Sequence, residues 1–273
     1  MIFKNLDLEK KNLNFLSKKS IYVFNIENFL GDYFYNILKN NFPKIPEEKM
    51  NNFDIKKNNY KLPINSTDDP FYKKIIENNN VLLDFHNFVF SKNFFKFFFK
   101  KLYMKILISR KNDFKFFLKI LRPLKLNSEK KIFNFLYASV SPQIEYSYIF
   151  NNGKIVPHTD SRAKLLSLML YFPDESQNLL TQKNFGTTFW SSAIKNRKNI
   201  HLASEINPTD ENGKDFPNIE NFKKQNKIIC NVPYEKNNLY GFIGSDTSWH
   251  SVEKINLNNS YVRRSININF NLS

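Results

Sequence analysis

The sequence predicts an α+β protein: a jelly roll or β-sandwich whose N-terminal helices pack on one sheet. Three observations predict it. A stripe of apolar residues at helical spacing runs between Ser91 and Arg122, many short strand-like runs follow from about residue 131, and turn residues separate those runs at irregular intervals. At 273 residues the chain can bury a substantial core. It is read as one domain, residues 1–273, in which a mostly helical part, 1–130, precedes a core of strands, 131–273.

In chain order, residues 1 to about 65 mix short apolar runs such as Ile21 to Phe24 with Asn/Lys-rich stretches, and Pro43, Pro46 and Pro63 interrupt any long helix. Asp69-Pro70 reads as an N-cap and first-turn proline opening a helix through Ile75 and Ile76. In the following block Phe94, Phe95, Phe98, Phe99, Leu102 and Ile106 share one helix face, while Lys96, Lys100, Lys101 and Lys105 fall on the other. Lysines interleaved with rings can bind membrane or RNA, but a stripe of this kind is more often core with its lysines in water. Pro123 closes the block. The expected strands are 132–140, 144–150, 164–172, 187–191, 227–232, 239–243, 248–255 and 261–270. The polar segment 195–225 is read as an insertion near the mouth of the fold.

The formal charge of +16 would ordinarily point to nucleic acid or an acidic membrane surface. Here the Lys excess travels with Asn, Ile and Phe and with only 6 Gly, the mix that A+T-rich codons produce. The basic surface is therefore read as compositional. A single cysteine, Cys230, allows no intramolecular disulfide and no cysteine-rich zinc site. The first residues lack the apolar core of a secretory signal, and no apolar run reaches the roughly 18 residues of a membrane span. A soluble, cytoplasmic protein is expected.

Of the 4 histidines, His158 stands in Pro-His-Thr-Asp with Asp160, and His250 in Ser-Trp-His-Ser-Val. Side chains on a strand alternate, so His158 and Asp160 can point to one side and grip one ion. Two histidines and a carboxylate on one face of a metal leave positions open opposite, the arrangement suited to iron(II) and oxygen chemistry. An isolated H-x-D arises by chance in many chains. Its context is the strand 261–270, where alternation sets Arg263, Ser265, Asn267 and Asn269 on one face and Ile266, Ile268 and Phe270 on the other. The polar face would line a cavity, where Arg263 offers a planar fork to the far carboxylate of a metal-chelating ketodiacid and Ser265 adds a hydroxyl. Arg264 should face away. His86 and His201 have no companion ligands and are read as structural.

Together these residues resemble the iron(II)/2-oxoglutarate-dependent oxygenases, in particular their prolyl 4-hydroxylase-like branch. The resemblance covers roughly residues 131–273 and rests on H-x-D, the distal histidine in WHSV and then R-x-S, with Leu165–Phe172, Gly186–Trp190 and Asn238–Phe242 in support. It implies a double-stranded β-helix (cupin-like jelly roll), Fe(II) on His158, Asp160 and His250, 2-oxoglutarate on Arg263 and Ser265, O2 as oxidant and ascorbate as an aid. Tyr148 matches a place where similar enzymes carry a tyrosine near the co-substrate. A single glycine, Gly186, stands where the family often has a pair, and the N-terminal half matches nothing in it. The implied activity is hydroxylation of a C–H bond in a peptidyl proline or small metabolite, releasing succinate and CO2. Other readings are an oxygenase acting on nucleic acid, sugar or lipid, and a non-catalytic cupin-like metal-binding module. Oligomeric state is not readable from the sequence.

Overall fold

A computed structural model describes residues 2–3, 6–45, 59–64, 72–113, 116, 133–135, 138–176, 182–191, 219–257 and 261–272. It is a mixed helix and sheet structure built on two antiparallel sheets. The major, eight-stranded sheet runs β1 (Asn14–Ser17), β2 (Val23–Ile26), β10 (Leu239–Ile243), β7 (Lys164–Phe172), β12 (Val262–Leu272), β5 (Ala138–Phe150) and β3 (Asn59–Ile64), with β4 (Phe133–Phe135) also pairing β5. The minor, four-stranded sheet runs β6 (Ile155–His158), β11 (Trp249–Val252), β8 (Thr187–Ser191) and β9 (Lys227–Val232).

The strands expected at 164–172, 187–191, 227–232 and 239–243 stand at those bounds. The expected 132–140 and 144–150 strands instead form short β4 and the 13-residue β5, which runs through Pro142. Proline is tolerated there because β4 pairs residues 138–140 and β3 pairs 144–149, so no ladder bond is asked of its nitrogen on that edge.

The N-terminal part is not purely helical. It supplies β1, β2 and β3, which flank the C-terminal strands on both sides of the major sheet. Its helices are α1 (Asp32–Asn40), a wide π turn at Tyr72–Glu77, α2 (Asn80–Val89) and α3 (Lys92–Ser109). The expected Asp69-Pro70 start lies outside the described residues. Asn79 caps α2 by accepting from the Val81 and Leu82 amides, and Ser91 caps α3 by accepting from that of Phe94.

Helix α3 ends at Ser109 with Arg110 as its C-cap; Asp113 then accepts from the amide of Phe116, itself helical, in the manner of an N-cap, and residues 117–122 of the expected block lie outside the described residues. Its predicted apolar stripe is buried. Its lysines lie along the aromatic edge: Lys101 sits over Phe97 and Lys105 over Phe15. Among the described residues no helix is long and apolar enough to cross a membrane.

Alternation sorts the side chains into layers. On β12, Ile266, Ile268 and Phe270 join the large core under the helices, while Arg263, Ser265, Asn267 and Asn269 line a cavity shared with the minor sheet. On the minor sheet Phe189, His250 and Val252 face inward. Trp190 and Trp249 face outward onto Phe222 of α4 (Ile219–Gln225). That helix is the described end of the predicted insertion. The rest of 195–225, including His201, lies outside the described residues.

Candidate metal centre

Cross-strand pairing places His158 at the end of β6 directly opposite His250 on β11, with ring centroids 4.2 Å apart. Asp160 lies two residues beyond the end of β6, on the loop leading to β7. The sequence reading had it on the strand, but it still converges. One ligating atom from each of His158, Asp160 and His250 lies within 4.8 Å of the others.

Each imidazole is oriented by a backbone carbonyl. The His158 Nδ1 donates to Val156 at 2.9 Å and the His250 Nδ1 to Ser248 at 3.0 Å. A carbonyl oxygen only accepts, so Nδ1 carries the proton and Nε2 keeps the lone pair a metal needs. Burial pushes both histidines below their ordinary pKa, and for His158 the neighbouring His250 adds to it. Both are neutral, ligand-competent bases at neutral pH.

Burial alone would raise the Asp160 carboxyl. The Lys164 ammonium, by its charge and its hydrogen bond, leads the influences that outweigh burial and hold that group well below the usual carboxylate range. Lys164 Nζ and Ser167 Oγ each donate to Asp160 at 2.9 Å, one to each carboxylate oxygen. An ionised oxygen has lone pairs beyond the one each bond uses. The set thus fits a divalent ion: two neutral imidazoles, one anionic oxygen donor, and partners fixing all three. Phe242 packs on the His250 ring at 4.7 Å and shields it from water.

Arg263 stands on the cavity wall at 2% exposure. Its Nε donates to the Phe185 carbonyl at 2.5 Å, and the rings of Tyr171 and Tyr234 flank its guanidinium at 4.9 and 5.0 Å. Among the described residues it forms no ion pair. A buried guanidinium without a counter-ion is costly unless an anion joins it. Ser265 lines the same wall. The turn that brings Phe185 into place needs Gly186, because a Cβ there would lie 1.6 Å from the Val232 carbonyl oxygen.

Tyr148 does not join this group. It lies opposite Arg264 on β5, and its hydroxyl donates to the Pro43 carbonyl at 2.6 Å, in the core under the helices. Residues facing each other across a ladder share a sheet face, so the cavity receives Ser147 and Glu145 from this strand. Arg264 faces away from the cavity as expected, resting over Phe42. His86 is buried on the helix side against Tyr146. The sequence reading missed Lys164, Ser167, Tyr171, Tyr234, Lys61 and Glu145. Alternation from Asp160 and Arg263 points to some of them. Lys61 needs the pairing of β3 with β5.

No protein-family model matches the chain, and no curated protein matches it. Among solved structures it is similar to a prolyl-4-hydroxylase from Pseudomonas putida, at 10% identity over 91% of each chain and a TM-score of 0.40. It is also similar to a 2OG-Fe(II) oxygenase family oxidoreductase from Burkholderia pseudomallei, at 9% identity, 91% and 84% coverage and a TM-score of 0.44. HygX from Streptomyces hygroscopicus, solved with nickel and 2-oxoglutarate, aligns at 8% identity, 91% and 82% coverage and a TM-score of 0.41. Likenesses this distant carry no functional weight by themselves.

Proposed function

We propose that the chain is an Fe(II)- and 2-oxoglutarate-dependent dioxygenase, one domain whose two sheets form a double-stranded β-helix. The observation that carries this reading is the pairing, in one cavity, of a His-Asp-His cluster with a buried arginine that, among the described residues, forms no ion pair. A metal-binding module without turnover has no use for the second element. His158, Asp160 and His250 would hold the metal; Arg263 and Ser265 would take the far carboxylate of the co-substrate. When bound, iron and 2-oxoglutarate supply the oxidising power, with O2, to hydroxylate a C–H bond as succinate and CO2 are released.

The chain's own residues orient and enclose. Val156 and Ser248 fix the imidazole rings, Lys164 and Ser167 hold the carboxylate, and Phe242 excludes water from one side. The cavity, about 60 Å³, has room for a few waters as it stands. Co-substrate entry therefore has to shift side chains, and Lys61, whose side chain is 43% exposed, has the freedom to move. The wall beyond Ser265 is polar, with Glu145 accepting from Lys61 at 3.2 Å and from Asn267 at 3.0 Å. Such a wall suits a peptide, such as one presenting proline, or a small polar metabolite, and does not suit a lipid tail.

The test is succinate release from 2-oxoglutarate with Fe(II), ascorbate and O2. Wild type should turn the co-substrate over, slowly when no substrate is present, and His158→Ala should not. Equal rates in the two proteins would end the enzyme reading.

A further inference from the structure

The two loops that deliver the ligands converge on one side chain outside the site. Asp160 sits on the loop between β6 and β7, and His250 is the second residue of β11, reached by the 244–248 loop after β10. Arg110, the C-cap of α3, is 3% exposed and its guanidinium reaches both loops. Its Nε donates to the Gly244 carbonyl at 2.8 Å, one terminal nitrogen to that of Arg162 at 2.9 Å, and the other to that of Lys164 at 2.6 Å. Asp113 balances its charge at 3.3 Å.

Three backbone carbonyls on two loops are the acceptors for one planar, rigid fork, a geometry a lysine cannot reproduce. The approach is close: a Cβ on Gly244 would lie 2.3 Å from the Lys164 carbonyl oxygen. A second tie joins the same loops at the surface, where Arg162 grips Asp246 with two bonds of 3.2 and 2.9 Å.

Resting on the metal-centre reading, we infer that Arg110 is a positioning residue that sets the distance between the Asp160 and His250 loops and so the geometry of the metal site. It fixes the backbone of Lys164, whose ammonium holds Asp160, and the start of the loop whose Ser248 carbonyl orients His250. A residue that only closed the end of α3 would stabilise the helix side of the protein and leave metal affinity alone.

The experiment titrates the metal-free protein with Co(II) and follows its visible absorption, in wild type, Arg110→Gln, Arg110→Lys and Leu102→Ala. Leu102 is buried in the core on the same helix, about two turns before Arg110, so it controls for lost stability. Arg110→Gln should bind Co(II) about 10- to 100-fold more weakly with an altered spectrum, as loss of a residue supporting a ligand does. Arg110→Lys should recover part of the affinity, and Leu102→Ala should bind like wild type although it melts earlier. Amide exchange of the metal-free proteins reads the brace directly: residues 160–165 and 244–249 should exchange faster in Arg110→Gln than in Leu102→Ala. A wild type that binds no cobalt overturns the metal-centre reading and this inference with it. A wild type that binds while Arg110→Gln binds as tightly, with the same spectrum, overturns this inference alone.

Discussion

The two faces of the major sheet are made by the same strands and do opposite work. Under the helices Phe270 meets Phe94, Phe95, Phe98 and Phe99 ring to ring, and polar contacts such as His86 on Tyr146 and the Tyr148 hydroxyl on the Pro43 carbonyl are buried among rings. On the cavity side the same strands present Arg263, Ser265, Glu145 and Asn267. Because neighbouring residues alternate, an oily face and a charged face can be altered separately. Stability should reside mainly in the first face and ligand recognition in the second.

The largest effect should come from breaking the helix side. Phe98→Ala removes a fully buried ring packed on Phe24, Phe94 and Phe97 and should cost about 3–5 kcal/mol in chemical denaturation. Metal affinity should hold at temperatures where the variant is folded. Next, Arg263→Ala should weaken 2-oxoglutarate binding on the order of 100-fold, the loss of charge-assisted bonds worth roughly 1.5–3 kcal/mol, with little change in melting temperature. Arg264→Ala, on the opposite face, should bind co-substrate normally. The reverse ranking would mean that the register of β12 is wrong.

A smaller effect tests pH. Burial lowers the His86 pKa to about 3, below that of an unfolded chain. The unfolded state therefore takes up this proton first. The stability His86 contributes is complete above about pH 6.5 and falls as the pH drops from there toward 3, by about 1.4 kcal/mol per unit. Denaturation curves between pH 6.5 and 5 should be flatter by that amount in His86→Gln than in wild type; parallel curves would place His86 in contact with water. Smallest of all, Tyr148→Phe deletes the bond to Pro43 and should cost about 1 kcal/mol without touching 2-oxoglutarate affinity. A co-substrate defect there would reassign Tyr148 to the cavity.

The sequence was informative where periodicity meets a buried face. Strand β12 shows its two faces plainly, and α3 its stripe. Strand β2 was opaque because Val23, Phe24, Asn25 and Ile26 are all buried, which leaves no alternation to see. Edge strand β3 carries Lys61 and Pro63, residues that suit an edge and mask a strand pattern. Tyr148 was misplaced for want of pairing. Alternation says that it opposes Ser147 in direction, but only the register with Arg264 says which direction meets the cavity. Arg110 gave no signal at all, since its partners are backbone carbonyls and those have no letter in a sequence.

The placement of β1, β2 and β3 bears on how the protein reaches its native state. Ile26 pairs with Leu239, and Tyr60 with Tyr148. On the ribosome β1 and β2 can pair with each other at once, but the other partner of β2 and the partner of β3 are made much later. Those two strands must wait with one edge uncovered, and the contacts of β2 with β10 join distant parts of the chain. Topologies of that kind fold slowly and are exposed to misassembly while they wait. The outer strands of the sheet should therefore be the last to settle, and chaperone dependence during synthesis should centre on the first 65 residues.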